Sequence, residues 1–184
     1  MKLSTLLTLS VALVAPVAFA QAQNFAGFSL GGNLEFAQTK VETATTSNTG
    51  SGSGLSVQGQ YSFAVAPQVV LGVGGTMGLG NRKLGTFGAV DLNAKNAYAL
   101  DFTGGWAMNN MLFYGKISSL SLTVTCDTCT TDETYTGVGY GLGLRSMIDK
   151  NMYWQTGYDW NTYTEKTGVK PSSGVFGLGL GYKF

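Results

Sequence analysis

Few side chains in this sequence are suited to chemistry, and the types that are absent restrict it further. There is no histidine among the 184 residues. That excludes histidine-based acid–base catalysis and any histidine-ligated metal. Two cysteines stand as Cys126-Asp-Thr-Cys129. A CxxC pair can be redox-active when a helix N-terminus or nearby cations lower the thiol pKa. Here the neighbours are Asp127, Asp132 and Glu133, whose charges would raise it. Two thiolates with carboxylates could also hold zinc. In an exported chain the simpler expectation is a structural disulfide between Cys126 and Cys129. Asp101 and Asp159 could act as acid and base only if the fold brings them together. The alternative is that they neutralise Lys116 and Arg145. The run Gly137 to Gly143 places glycine at every second position. No helix start follows it, so it is not a phosphate loop. No cofactor is expected.

The elements that must position these residues repeat with a period of two. In VFGLGLGYKF, Phe176, Leu178, Leu180, Tyr182 and Phe184 share one face, and Gly177, Gly179, Gly181 and Lys183 share the other. Seven further segments alternate in the same way: about 26–38, 55–65, 69–79, 96–108, 112–123, 136–146 and 152–162. In the segment 112–123, Leu120 and Leu122 change parity, which predicts a bulge near Ser118-Ser119. Short turns are expected at 66–68, 109–110 and 148–151. Longer polar loops are expected at 40–54, 80–95, 125–134 and 163–172. The first of these contains the low-complexity stretch TATTSNTGSGSG.

Composition agrees with a membrane setting. Charged residues are 11% of the chain, against about 25% in an ordinary soluble domain. Net charge is +1, so nothing marks a nucleic-acid binder. Six charges fall inside strands: Glu35, Asp101, Lys116, Arg145, Asp159 and Lys183. All six lie opposite the large apolar side chains. A lipid-facing Lys or Arg at mid-bilayer costs roughly 2–4 kcal/mol in a barrel. The apolar face is therefore expected outside, with a polar, glycine-rich face lining the lumen. A soluble lipocalin-type barrel would have the reverse polarity. The aromatics gather near strand ends, as interfacial belts do. The expected fold is all-β: an eight-stranded antiparallel up-and-down transmembrane barrel with short turns at one end and long loops at the other.

The N-terminus reads as an export signal. Lys2 is followed by an apolar run from Leu6 to Val14, then Pro16 and a small-x-small site at Ala18-Phe19-Ala20. Residues 1–20 are expected to be removed, with cleavage after Ala22 as the alternative. Residues 21–184 would form the barrel. No later run of 18 apolar residues suggests a spanning helix.

With these features in place, the chain resembles the small Gram-negative outer-membrane β-barrels of the OmpA/OmpX/opacity family. FGLGLGYKF is similar to that family's C-terminal assembly signal, and the stretch TGVGYGLGLRSMIDKNMYWQTGYDWNTY resembles its penultimate hairpin. The resemblance implies an outer-membrane location among phospholipid and lipopolysaccharide. It also implies recognition by the barrel-assembly machinery through Phe176, Leu178, Leu180, Tyr182 and Phe184. Unlike the family's two-domain members, the chain is not expected to carry a periplasmic peptidoglycan-binding domain, so cell-wall anchoring is not implied. Barrel enzymes of this membrane rely on a histidine that this chain lacks. The functional expectation is a non-enzymatic anchor for four surface loops with an unknown surface ligand. A narrow channel for small polar solutes is the alternative.

Overall fold

The computed structural model describes residues 20–42, 47–80, 82–87, 90–126, 133–166 and 170–184. The expected signal peptide therefore lies almost wholly outside the described residues. A short turn, α1 (Ala20–Gln23), precedes β1 (Gly27–Glu42), β2 (Ser47–Ala66), β3 (Val69–Leu79) and β4 (Arg82–Phe87). There follow β5 (Val90–Met108), β6 (Met111–Cys126), β7 (Glu133–Met147), β8 (Met152–Tyr163) and β9 (Lys170–Lys183). Each strand is antiparallel to its neighbours, and β1 pairs with both β2 and β9. The order is β3-β2-β1-β9-β8-β7-β6-β5-β4, and β3 also pairs with β5, which closes the ring.

The ring has eight staves because β3 and β4 are two halves of one. β5 pairs with β3 from Tyr98 to Trp106 and with β4 from Val90 to Ala94. The break falls beside Gly80, whose φ is 69°. That is a left-handed conformation, which glycine adopts freely and other residues adopt at a cost. The short turns fall where composition placed them, at 67–68, 109–110 and 148–151. Asn109 takes a φ of 56°. Asparagine tolerates such a value better than most residues.

Alternation sorts the faces. Leu30, Leu100, Ile117, Val138, Leu142 and Leu180 are half or more exposed on the outside, while Ser56, Gln60, Asp101, Thr103 and Arg145 are buried inside. Burial of polar groups beneath an exposed apolar coat inverts a soluble fold and matches lipid as the outer solvent. Trp106 faces Phe113 near the short-turn rim, and Tyr140 stacks on Trp160 at 5.4 Å toward the opposite rim.

Two expectations need correction. The loops are shorter than composition suggested. Glu42 pairs with Ser47, and Phe87 pairs with Val90, so the stretches 40–54 and 80–95 largely continue as hairpins. Beyond the bilayer both faces of a strand meet water. Hydrophobic alternation then vanishes although backbone pairing persists. Likewise β6 has no bulge near Ser118-Ser119, since its pairing with β7 runs unshifted from Met111↔Ser146 to Val124↔Glu133. Leu120 and Leu122 change parity because the lumen itself turns apolar there. Register shifts lie instead at Ala64/Ala66, Lys83/Gly85 and Ala94/Asn96.

The lumenal glycines are seats for larger side chains. Tyr153 lies over Gly181, Asp159 over Gly141, Asn33 over Gly179 and Tyr114 over Gly143, each so close that a Cβ would collide. A narrow barrel holds tyrosines, a charge pair and glutamines only if the facing positions are empty.

Candidate functional site: the lumen

The lumen is stacked in four layers. At the short-turn end, Phe25 and Ala22 from the N-terminal segment pack among Val70, Ala107, Leu112, Met147 and Tyr153. Ala22 is fully buried, and its N–H donates to the Pro67 carbonyl at 3.2 Å. Phe25 and Ala22 follow from the local sequence: a turn with Phe25 N–H on the Ala22 carbonyl (3.1 Å) folds the segment back under the barrel.

Above this closure lies Arg145, 4% exposed. Its guanidinium donates to Gln155 Oε1 (2.9 Å from Nη2, 3.2 Å from Nε) and to Gln60 Oε1 (3.2 Å), and it stacks over the Tyr153 ring at 4.3 Å. Gln155 Nε2 in turn donates to Asn33 Oδ1 (2.7 Å) and Gln58 Oε1 (2.8 Å), while Gln60 Nε2 donates to Ser62 and Thr103. A buried cation here is held by neutral acceptors and an aromatic face. The expectation that Asp101 or Asp159 neutralises Arg145 is corrected accordingly, because both carboxylates are engaged elsewhere.

The third layer carries the other charges. Lys116 Nζ meets Asp159 Oδ2 at 2.8 Å. Asp101 accepts from Thr76 (2.7 Å) and Ser118 (2.6 Å), and Glu35 Oε1 accepts from Ser56 (2.5 Å). The two aspartates therefore sit in one layer on separate partners, not as a hydrogen-bonded acid–base pair. Glu35, Lys116 and Asp159 border a cavity of about 110 Å³. At about 10–15 Å³ of such space per water, that is room for several waters. Lys183 does not join this layer. It pairs with Ser29 at the short-turn rim. Ser29 precedes Glu35 by six residues of β1, a rise of roughly 20 Å along an extended strand.

The fourth layer, toward the long hairpins, is apolar again. Ala94, Leu122, Tyr135 and Tyr163 are buried together, with Ala97, Leu120 and Val124 beside them. The Tyr135 hydroxyl donates to Glu133 at 2.8 Å.

Outside the lumen, Phe176, Leu178, Leu180, Tyr182 and Phe184 line the exposed outer face of the last strand and the chain end. Phe184 N–H donates to the Phe28 carbonyl, and the two rings lie 5.7 Å apart. Cys126 is the last residue of β6, paired with Leu92, and not part of a loop. Cys129 lies outside the described residues. Reading the sequence found the charges but missed Tyr153 and Tyr114, which fill the lumen. Their signal was parity: Tyr153 shares a face with Gln155, and Tyr114 with Lys116. Phe25 and Ala22 carried no such signal, because they precede the first alternating stretch.

A closed ring with a lipid-compatible coat and a hydrogen-bonded interior defines an integral β-barrel of the Gram-negative outer membrane. The chain belongs to the outer membrane protein beta-barrel domain family, whose sequence model matches residues 5–184. No curated protein matches it. Among solved structures it is similar to Neisserial surface protein A, at TM-score 0.59 and 18% identity over 86% of this chain and 99% of that one. It is also similar to Ail of Yersinia pestis, solved with the heparin analogue sucrose octasulfate, at TM-score 0.57 and 16% identity over 86% and 99%. OprG of Pseudomonas aeruginosa follows at TM-score 0.55 and 13% identity over 86% and 96%. At such identities these likenesses concern the fold.

Proposed function

We propose that this protein is a non-enzymatic anchor that holds its four long hairpins outside the cell, in an adhesion, envelope-integrity or surface-antigen role. The observation that carries this reading is the filled short-turn end of the lumen. Among the described residues, the apolar closure at the short-turn end and the Arg145–Gln60–Gln155 layer above it leave a cavity of about 110 Å³ in the lumen. The reading leaves the extended hairpins as the parts able to meet a partner. Export through removal of residues 1–20, and recognition of the outward row Phe176 to Phe184 by the assembly machinery, belong to the same proposal. So does a Cys126–Cys129 disulfide at the tip of the third hairpin. The lack of histidine supports a non-catalytic role. The charged cavity, which reaches up to Ala97, Leu120 and Tyr163, favours the second reading, a narrow channel for small polar solutes; the apolar closure at the short-turn end opposes conduction.

The test is to replace each long hairpin in turn by a short Gly-Ser turn, keep only variants that show the heat-modifiable gel shift of a folded barrel, and measure adhesion and detergent sensitivity of whole cells. Loss of a wild-type property with one trimmed hairpin supports display. Trimmed barrels that retain every property lost on deleting the protein would refute it.

A further inference from the structure

The segment beneath the barrel holds a glutamine at each place where the export reading lets the chain be cut. Residues 20–23 read Ala-Gln-Ala-Gln, so cleavage after Ala20 leaves Gln21 first and cleavage after Ala22 leaves Gln23 first. The fold tells the two sites apart. Ala22 is fully buried at the short-turn mouth, and its N–H donates to the Pro67 carbonyl at 3.2 Å. Its carbonyl accepts from the Phe25 N–H (3.1 Å), and the Gln21 carbonyl accepts from the Asn24 N–H (3.3 Å). A cut after Ala22 would remove the buried methyl, the bond to Pro67 and both bonds of the turn that seats Phe25. A cut after Ala20 keeps all of them.

Gln21 is then the chain end, and its place is a poor one for a charge. It is partly buried beside Ala22, and its Oε1 is buried with no hydrogen-bond donor among the described residues. An α-amino group titrates at about pH 7.7–8.0, so a free terminus at neutral pH is mostly ammonium. Taking such an ion out of water beside an apolar plug is costly unless it is paired. An N-terminal glutamine carries its own remedy, and here no donor of the barrel engages the side-chain carbonyl that the remedy uses. The neutral fraction of the α-amine attacks Cδ. The N–Cδ bond forms and the Cδ–Nε2 bond breaks. Nε2 leaves as ammonia, carrying a proton from the attacking nitrogen. The product is an uncharged lactam ring, and the step needs no oxidant, reductant or co-reactant.

We propose that Gln21 is a modification site: freed by cleavage after Ala20, it closes to pyroglutamate and caps the short-turn mouth as a neutral lactam. The proposal rests on the export reading given above and is independent of what the long hairpins bind. An enzyme that cyclises N-terminal glutamine would change the rate of the step and not its balance.

Intact mass and N-terminal sequencing of the protein purified from outer membranes, unfolded and reduced, test it. Wild type should show the mass of residues 21–184 less one ammonia. Its terminus should be blocked to stepwise degradation until pyroglutamyl aminopeptidase removes the ring and exposes Ala22-Gln23-Asn24-Phe25. Gln21→Ser should be cut at the same place and give an unblocked, readable terminus with no loss of ammonia. A wild-type chain that starts at Gln21 with a free amine would overturn the cyclisation and leave the export reading standing. So would a Gln21→Ser terminus that is still blocked, because the block would then lie on another group. A chain starting at Gln23, cyclised or not, would overturn the choice of cleavage site made from the burial of Ala22. A chain that keeps residues 1–20 would overturn the export reading and the cyclisation together.

Discussion

Lys116 and Asp159 interact across the lumen between β6 and β8, and neither has another opposite charge as close a partner among the described ion pairs. Removing Lys116 takes away the ion-pair partner of Asp159. Both side chains are only partly buried, 16% and 29% exposed, so Lys116→Met should cost less than the roughly 3–5 kcal/mol of breaking a fully buried pair. Lys116→Met with Asp159→Leu should cost less than the single change, and urea unfolding of the refolded barrel measures both. Arg145 behaves differently because its acceptors are neutral. Arg145→Met leaves Gln60 and Gln155 each short of a donor, an expected loss of about 2 kcal/mol. Gly181→Ala drives a methyl into the buried Tyr153 ring. It should cost about 1–3 kcal/mol through overpacking. The same substitution at Gly177, where a Cβ meets nothing within 4 Å, should be close to neutral. That contrast shows what the lumenal glycines are for. Their period of two was legible from composition, but which of them is an obligatory seat depends on cross-strand register. Pairing, not local sequence, decides that.

Among the elements, the strands were readable wherever lipid touches one face and the lumen the other. There the two solvents impose opposite preferences on alternate residues. The readable signal ends where the strands leave the bilayer, so the outer halves of β2 and β5 and the whole of β4 looked like loops. It also fails for the N-terminal closure, which is neither strand nor long helix. Phe25→Ala should cost about 3–5 kcal/mol by emptying the short-turn mouth. The turn between β7 and β8 gives a pH-dependent test. Asp149 accepts from the backbone N–H of Met152 (2.7 Å) and Asn151 (2.8 Å), and these bonds hold its carboxyl below the usual carboxylate range. A lowered carboxylate stabilises the fold above its ordinary pKa, and that stability is lost as pH falls through the lowered value. Unfolding midpoints measured from neutral pH down into the acid range should therefore fall less steeply in Asp149→Asn than in wild type.

For the barrel as a unit, inverted polarity was the strongest inference from sequence, because six strand charges all fell opposite the large apolar side chains. The family and the closed ring agree with it. Charge position alone could not say whether the lumen is open. That depends on side chains from four or more strands meeting across it, as Arg145, Gln60, Gln155 and Asn33 do, and on Phe25 arriving from outside the alternating pattern. The proposed display role requires a lumen that does not conduct. Single-channel recording of the refolded protein in a planar bilayer, with folding shown by the gel shift on boiling, decides this. Wild type should leave the bilayer silent, with openings only when Phe25→Ala is combined with Leu122→Ala to breach both apolar layers. Steady, salt-dependent openings from wild type that change with Lys116 or Asp101 substitutions would mean an open lumen and a conducting barrel.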